Sequence, residues 1–186
     1  MPSLTLLGVL GAAIERGDDH LEALRTIRPG FDLEAERGAR AAAGVPDEPR
    51  GDDLYPDALP CLEAVAAAGY AVGAVGNTTV EMERFLRERC RLDFVASSAS
   101  LGVAKPDPAF FAAVARLAGA PAERIAYVGD RLDNDVLPAR AACMVAVHVR
   151  RGPWGYLHAR RAEAARAHLR LDSLDELLPG LESIGR

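Results

Sequence analysis

Short apolar runs alternate with longer stretches of helical spacing over most of this chain. Four runs have the length and the β-branched or aromatic content of buried strands, at 70–75, 94–96, 125–128 and 144–149. Between and around them, apolar residues recur every three or four positions at 56–68, 80–89, 109–117 and 134–142. This alternation predicts an α/β fold in which a parallel, doubly wound, Rossmann-like sheet is connected by right-handed crossovers.

The opening of the chain has the pattern of a further strand. Residues 4–7 are apolar, and Gly8 and Gly11 follow them closely. A buried strand that runs into a tight turn has this composition. We therefore predict that 4–7 form the first strand of the sheet.

A more polar stretch separates this first strand from the rest of the predicted core. Helical patches at 19–27 and 32–43 flank Pro29 and Gly30, and a Pro-containing connector follows at 46–53. Such a piece is typical of a small insertion and not of an independent domain. We predict an α/β core made of 1–13 and 54–186, with a small helical cap insertion at 14–53. After the fifth strand we expect helices at 157–167 and 173–178, the second capped by Ser173.

Composition narrows the class of protein. Hydrophobic residues make up 49% of the chain and charged residues 26%, as in ordinary globular domains. The formal net charge of -5 argues against sequence-independent binding to nucleic acid, which requires a surplus of basic residues. Three widely spaced cysteines indicate neither a zinc site nor a disulfide framework. The apolar opening is too short to cross a bilayer, so we expect a cytoplasmic protein without a membrane partner.

Polar residues cluster where the predicted strands end. Asp130 and Asp135 follow the strand at 125–128, and Asn77 follows the strand at 70–75. The carboxyl ends of strands are where open α/β sheets bind ligands, and hard divalent cations prefer oxygen ligands. A metal-binding edge is one interpretation, and a solvated acidic turn that caps a helix is the other.

Two separated motifs give this chain a family resemblance. Gly102-Val103-Ala104-Lys105-Pro106-Asp107-Pro108, followed by Val128-Gly129-Asp130 and Asn134-Asp135, closely resembles the haloacid dehalogenase superfamily of phosphatase-like hydrolases, including phosphoglycolate phosphatases. The segment from Leu54-Tyr55-Pro56-Asp57-Ala58 to Gly76-Asn77 resembles that family's second motif region. The resemblance implies that Lys105 neutralises charge on the reacting phosphoryl group, that Asn77 touches the phosphate, and that Asp130 and Asp135 hold magnesium.

The chain departs from the family pattern at the first motif. The family has D-x-D-G-T after its first strand, with one Asp as nucleophile and the other as acid/base. Aligned on 4–7, the nucleophile position is Gly8 and the acid/base position is Leu10. Glycine cannot form an acyl phosphate, and leucine cannot carry a proton. The second motif also has Gly76 where a hydroxyl is expected; Thr78 or Thr79 could replace that hydroxyl, and each could instead cap the next helix.

These substitutions define the functional expectation. Asp130, Asp135 and Lys105 sum to a charge of -1, so we expect magnesium to bind weakly or only together with a phosphate ligand. We predict a relative of small-molecule phosphatases whose activity is weak or absent and whose ligand is a small phosphorylated molecule. The alternative is a non-catalytic ligand-binding or partner-binding pseudoenzyme. An altered or incomplete form of an active enzyme is a third possibility, which a first strand at 4–7 disfavours; the oligomeric state stays open.

Other polar residues receive ordinary structural interpretations. Asp18 or Asp19 is expected to cap a helix, although the two residues and His20 could also approach the site from the insertion. His148 is expected at the end of the fifth strand, packed or on the surface. His158 and His168 are expected on helix surfaces. The basic residues at 150–151 and 160–161 are interpreted as a solvated helix face.

Overall fold

The structure is a computed structural model that describes residues 3–45 and 49–185. The chain divides into two compact units, Met1–Glu48 and Pro49–Arg186. Within the described residues, no helix is both long enough and apolar enough to cross a bilayer.

The first unit is built from three helices, α1 (Ser3–Arg16), α2 (His20–Ile27) and α3 (Leu33–Ala42). Helix α1 packs against α2, and the side chains buried in this unit are Ala13, Ile14 and Ala23. The Asp19 carboxylate accepts the Glu22 amide and caps α2, which confirms one of the two predicted caps.

The prediction of a first strand at 4–7 is wrong. These residues lie inside α1, a continuous helix of 14 residues. A short apolar run cannot be assigned to strand or helix by periodicity alone, and the apolar pattern here continues to Ile14 at helical spacing. Gly8 and Gly11 are accommodated within the helix and do not form a turn, and the chain leaves α1 at Gly17, which has a φ of +86°.

The predicted domain bounds require the same correction. Residues 3–13 belong to the helical unit and not to the α/β core. The core therefore contains none of the apolar opening, and the helical unit is larger than the insertion predicted at 14–53. The end of that insertion, at 49–53, lies in the second unit, while 46–48 lie outside the described residues.

The second unit alternates strands and helices, as the sequence predicts. The strands are β1 (Gly73–Gly76), β2 (Phe94–Ser97), β3 (Ala126–Gly129), β4 (Val145–Val149) and β5 (Leu169–Leu171). The helices are α4 (Ala58–Ala67), α5 (Val80–Arg89), α6 (Ser98–Leu101), α7 (Pro108–Ala118), α8 (Leu137–Ala141), α9 (Gly152–His158) and α10 (Leu177–Ile184). Short 3-10 turns span Gly51–Asp53, Ala122–Arg124, Ala162–Arg166 and Leu174–Glu176, and a π-helical turn spans Leu132–Val136.

All described strand pairs are parallel. Strand β1 pairs with β2, and β4 lies between β3 and β5, so the strands form one two-stranded and one three-stranded sheet. The α/β class and the four strands predicted after the opening are confirmed, with small shifts at their ends. Strand β5 was not predicted, and the helix expected at 157–167 is instead the end of α9 followed by a 3-10 turn. The Ser173 cap is confirmed, since its hydroxyl accepts the Asp175 amide.

Two buried clusters of side chains lie on opposite faces of β4. Ala146 of β4 belongs to one buried cluster, with Phe110 and Phe111 of α7, whereas the next residue, Val147, belongs to another, with Val65 of α4. Successive residues of a strand point to opposite faces, so helices pack on each side of β4. This arrangement holds the carboxyl ends of the strands open between the two helical layers.

Candidate functional site

Lys105 and Asp135 form a buried ion pair beyond the carboxyl end of β3. The Lys105 Nζ atom lies 2.5 Å from Oδ1 of Asp135, and their side chains are 13% and 5% exposed. Lys105 is also the only lysine in the chain. The family resemblance implies that the two residues share one site, and the structure brings their side chains into contact.

The last residue of β3, Gly129, leaves space for the Asp135 carboxylate. A Cβ atom at this position would lie 2.4 Å from both Cβ and Cγ of Asp135, which is too close for any real side chain. The other carboxylate oxygen, Oδ2, accepts the Arg131 amide at 3.0 Å. Both oxygens of Asp135 therefore have partners, and the π-helical turn that starts at Leu132 fixes the carboxylate beneath Gly129.

Asn77 joins the end of β1 to the lysine segment. Its Oδ1 accepts the Lys105 amide at 2.7 Å, and its Nδ2 donates to the Lys105 carbonyl oxygen at 2.9 Å. The side chain thus holds the Lys105 backbone, and one amide hydrogen of Nδ2 is left over from this pair of bonds. Thr79 caps α5 by accepting the Met82 amide, whereas Thr78 does not cap it with its side chain. Thr78 is therefore the hydroxyl that remains available next to Asn77.

Asp130 is the carboxyl group at this edge whose ionisation is most disturbed. Burial, followed by repulsion from Asp135, raises its pKa to about 6. No other described side chain donates a hydrogen bond to its carboxylate, although its backbone carbonyl oxygen lies 3.1 Å from Nε2 of His148. The charges of Lys105 and Arg131 lower the pKa of Asp130 but do not offset its burial, so a bound cation would stabilise this carboxylate further.

Tyr55 flanks Asp130 on the side of Gly152. A Cβ atom at Gly152 would lie 3.6 Å from Oδ2 of Asp130 and 3.9 Å from the Tyr55 hydroxyl oxygen. The guanidinium of Arg151 stacks over the Tyr55 ring at 4.2 Å and pairs with Asp57. Burial opposes the ionisation of Asp57, but hydrogen bonds from Arg151, the Leu174 amide and the Ser173 hydroxyl outweigh it and lower its pKa.

The donor set does not by itself fit a resident metal ion. Among the described residues, no group of three or more His, Cys, Asp or Glu side chains is arranged to hold one. No other described side chain donates a hydrogen bond to the Asp130 carboxylate, but Asp135 uses Oδ1 for Lys105 and Oδ2 for Arg131. Hard divalent cations require six or more oxygen ligands, which this pair cannot supply alone.

Gly8 and Leu10 are not located where the alignment on 4–7 placed them. Both residues lie within α1, in the helical unit, and neither follows a strand. The first described strand is β1, which begins at Gly73. The structure therefore does not support aligning these two residues with a nucleophile and an acid/base group. Without a first strand at 4–7, an altered or incomplete form of an active enzyme is no longer disfavoured.

Some residues near the site were not expected from the sequence. His158, expected on a helix surface, is only 2% exposed, and its Nδ1 accepts the Leu132 amide at 3.0 Å. Burial lowers the pKa of His158, so the ring is held neutral behind the π-helical turn. Arg131 pairs with Asp133 and lies 5.0 Å from the Trp154 ring centroid. The sequence signals that could have revealed these residues were Trp154 and His158, but their spacing does not show which side of α9 is buried.

Comparisons with curated proteins identify similar phosphatases and hydrolases. The chain is 39% identical over 104 residues to a glyceraldehyde 3-phosphate phosphatase from Methanopyrus kandleri, covering 54% of this chain and 45% of that protein. It is 32% identical over 139 residues to the haloacid dehalogenase-like hydrolase domain-containing protein 3 of Danio rerio, covering 69% of this chain and 53% of that protein. The chain thus spans about half the length of the curated relatives it matches.

Solved structures and a family model agree with the observed fold. A HAD phosphatase from Thermococcus onnurineus superposes with a TM-score of 0.61 at 23% identity, over 96% of this chain and 88% of that one. At this identity the likeness supports the fold alone. The family model for haloacid dehalogenase-like hydrolases matches residues 10–142, which is more than half of the chain. Together with the motif residues around Lys105 and Asp130, this match shows that the chain belongs to the haloacid dehalogenase-like hydrolase family.

Proposed function

We propose that the strand-end site around Lys105 binds the phosphate group of a small phosphorylated molecule. The observation that carries this proposal is the buried Lys105–Asp135 pair next to Asp130, at the edge where open α/β sheets bind ligands. The similarity to a protein named glyceraldehyde 3-phosphate phosphatase supports a phosphorylated small molecule as the substrate class. A cytoplasmic location stays a prediction.

Each residue of the site has a separate role in this proposal. Asp135 orients the Lys105 amine, and the amine offers its remaining hydrogens to a phosphate oxygen. Asn77 fixes the Lys105 backbone and directs its spare amide hydrogen at the same ligand. The Thr78 hydroxyl is a third donor. Fixed donors of this kind stabilise the charge that develops during phosphoryl transfer.

Magnesium is proposed as a weak, conditional ligand. Asp130 is the residue that would hold it, and phosphate and water oxygens would have to complete the coordination because Asp135 is already engaged. A bound ion would supply positive charge that offsets the phosphate and Asp130 together. We therefore expect Mg²⁺ and phosphate each to strengthen the binding of the other.

We expect phosphatase turnover by this chain to be weak or absent. The covalent route requires a carboxylate nucleophile and a second acid/base carboxylate, as the family resemblance implies. Of the two described carboxylates at this strand end, Asp135 is committed to Lys105, which leaves Asp130 alone. Gly8 and Leu10 lie in a helix and supply neither group.

An activity assay combined with a binding assay tests the proposal. We expect the purified chain with Mg²⁺ to bind inorganic phosphate in calorimetry but to leave p-nitrophenyl phosphate almost unhydrolysed. Lys105→Met should weaken phosphate binding at least tenfold, whereas Arg116→Ala, an exposed position on α7, should not change it. Robust hydrolysis that Asp130→Asn abolishes would refute the inactivity, and a phosphate affinity that Lys105→Met leaves unchanged would refute the site.

A non-catalytic, partner-binding role is the second candidate. The observation that favours it is the exposure of two apolar side chains one turn apart in α1, Leu4 at 80% and Leu7 at 55%. Light scattering of the purified chain and of a Leu4→Ser/Leu7→Ser variant tests self-association through this helix. A monomer in both cases removes a second copy of the chain as the partner.

A further inference from the structure

A second cavity lies at the carboxyl ends of β4 and β5, among residues that the phosphate site does not use. Its volume is about 640 Å³, within the range of small-molecule binding sites. The residues that carry its chemistry are His148, Arg150, Tyr156, Arg160, Arg170 and Asp172. Strand β5 brings Arg170 into this cavity together with residues that are distant in sequence. The interpretation of 160–161 as a solvated helix face did not predict such a cavity.

The cavity carries an excess of positive charge. Arg150 forms two hydrogen bonds of 2.6 Å with the Asp172 carboxylate, so this pair is neutral. In the described part of the chain, no carboxylate forms a salt bridge with Arg160 or Arg170, and Arg170 donates to the Ala159 carbonyl oxygen at 3.2 Å. Two guanidinium charges are therefore uncompensated in a chain whose net charge is -5.

An exposed aromatic ring borders the same cavity. Tyr156 is 59% exposed, and the Arg150 guanidinium lies 5.6 Å from the centroid of its ring. A large exposed aromatic side chain next to guanidinium groups offers a surface on which a planar ligand can stack. The cavity thus combines anion recognition with an apolar face.

We propose that this cavity binds a phosphorylated small molecule with a planar ring, of the chemical class of a nucleoside diphosphate. Arg160 and Arg170 hold the phosphates, because guanidinium groups match phosphate oxygens in charge and geometry. Tyr156 packs against the ring. The volume accommodates the whole ligand and is larger than a single phosphate needs. This site is separate from the one at Lys105.

Calorimetric titration with ADP and with pyrophosphate tests the site. We expect ADP to bind the purified chain and Arg160→Ala/Arg170→Ala to weaken its affinity at least tenfold. Tyr156→Ala should weaken ADP binding while leaving pyrophosphate binding unchanged. The matched control is Arg116→Ala, an exposed arginine on α7 outside the cavity, which should bind ADP as the unchanged chain does.

The proposal is overturned if ADP does not bind, or if the double arginine variant binds it as tightly as the unchanged chain. Equal losses of ADP and pyrophosphate affinity in Tyr156→Ala would also overturn it, because the ring would then have no separate role. The double variant should keep its circular dichroism spectrum and its phosphate binding at Lys105. These controls separate failure of this site from failure of the proposed phosphate site.

Discussion

The Lys105 amine and the Asp135 carboxylate are 2.5 Å apart although 30 positions separate them in the chain. Both side chains are nearly buried, so each charge depends on the other for compensation. We expect Asp135→Asn to lower the free energy of unfolding by roughly 3 kcal/mol, because it leaves a buried ammonium group without a partner. Urea unfolding at pH 7 measures this change.

The exposed Arg150–Asp172 pair provides the matched comparison for that substitution. Its side chains are 46% and 62% exposed, so water already compensates both charges. Asp172→Asn should leave the unfolding midpoint nearly unchanged. Equal effects of Asp135→Asn and Asp172→Asn would contradict the importance of burial at the site.

Substituting two glycines at strand ends distinguishes a steric requirement for glycine at one position from a general effect of replacing glycine. At Gly129, a Cβ atom would collide with Asp135, whereas at Gly76 it would meet nothing within 4 Å. Gly129→Ala should destabilise the protein by roughly 1–3 kcal/mol and should reduce phosphate binding, since it displaces Asp135 from Lys105. Gly76→Ala should do neither. Unfolding curves and phosphate titrations of the two variants check this prediction, and identical behaviour would count against it.

The pKa of Asp130 predicts how stability depends on pH. Burial, followed by the charge of Asp135, raises the pKa to about 6 from the usual 3.8, so the folded state holds a proton that the unfolded state releases between these values. The stabilisation that this bound proton gives the folded state is complete below pH 3.8 and is lost as the pH rises to about 6. The rise in pKa corresponds to roughly 3 kcal/mol.

Asp130→Asn isolates this contribution from other titrating groups. The variant should be more stable than the unchanged chain at pH 7 and should lose that advantage at pH 4, where Asp130 is largely protonated. Urea unfolding at both pH values provides the measurement. A variant that is less stable at pH 7 would show that the carboxylate has a stabilising partner.

Introducing carboxylates into α1 tests the corrected position of the opening segment. Gly8→Asp/Leu10→Asp would restore a D-x-D pattern if 4–7 were a strand that ends at the site. Because both positions lie in a helix, we expect no gain of phosphatase activity. Hydrolysis of p-nitrophenyl phosphate by this variant, absent in the unchanged chain, would contradict the helical assignment.

The sequence predicted correctly the strands whose apolar pattern matches their burial in the folded protein. The strands at 94–96 and 144–149 were found because each is a compact apolar run beside a clear helix. Residues 4–7 were misassigned because a four-residue run fits both periods, and the decision depended on residues as far as Ile14. Strand β5 was missed because it contains only three residues, with Arg170 in the middle.

The sequence predicted which residues form the site better than it predicted the contacts between them. The family motifs grouped Lys105 with Asp130 and Asp135, but nothing in their spacing shows that Asp135 uses both oxygens within the protein. The burial of His158, and the lining of one cavity by both Arg150 and Arg170, depend on how α9 and β5 pack. Sequence periodicity identifies a buried stripe but not the neighbouring element that covers it.

The central claim is that Lys105 contacts a bound phosphate, and its being the only lysine allows a direct measurement. Protein labelled with ¹³C at the lysine ε-carbon should give one lysine side-chain NMR signal. We predict that inorganic phosphate with Mg²⁺ shifts this signal saturably in the unchanged chain and in Arg160→Ala/Arg170→Ala, but not in Gly129→Ala. A lysine signal that does not respond to phosphate in the unchanged chain would contradict the account.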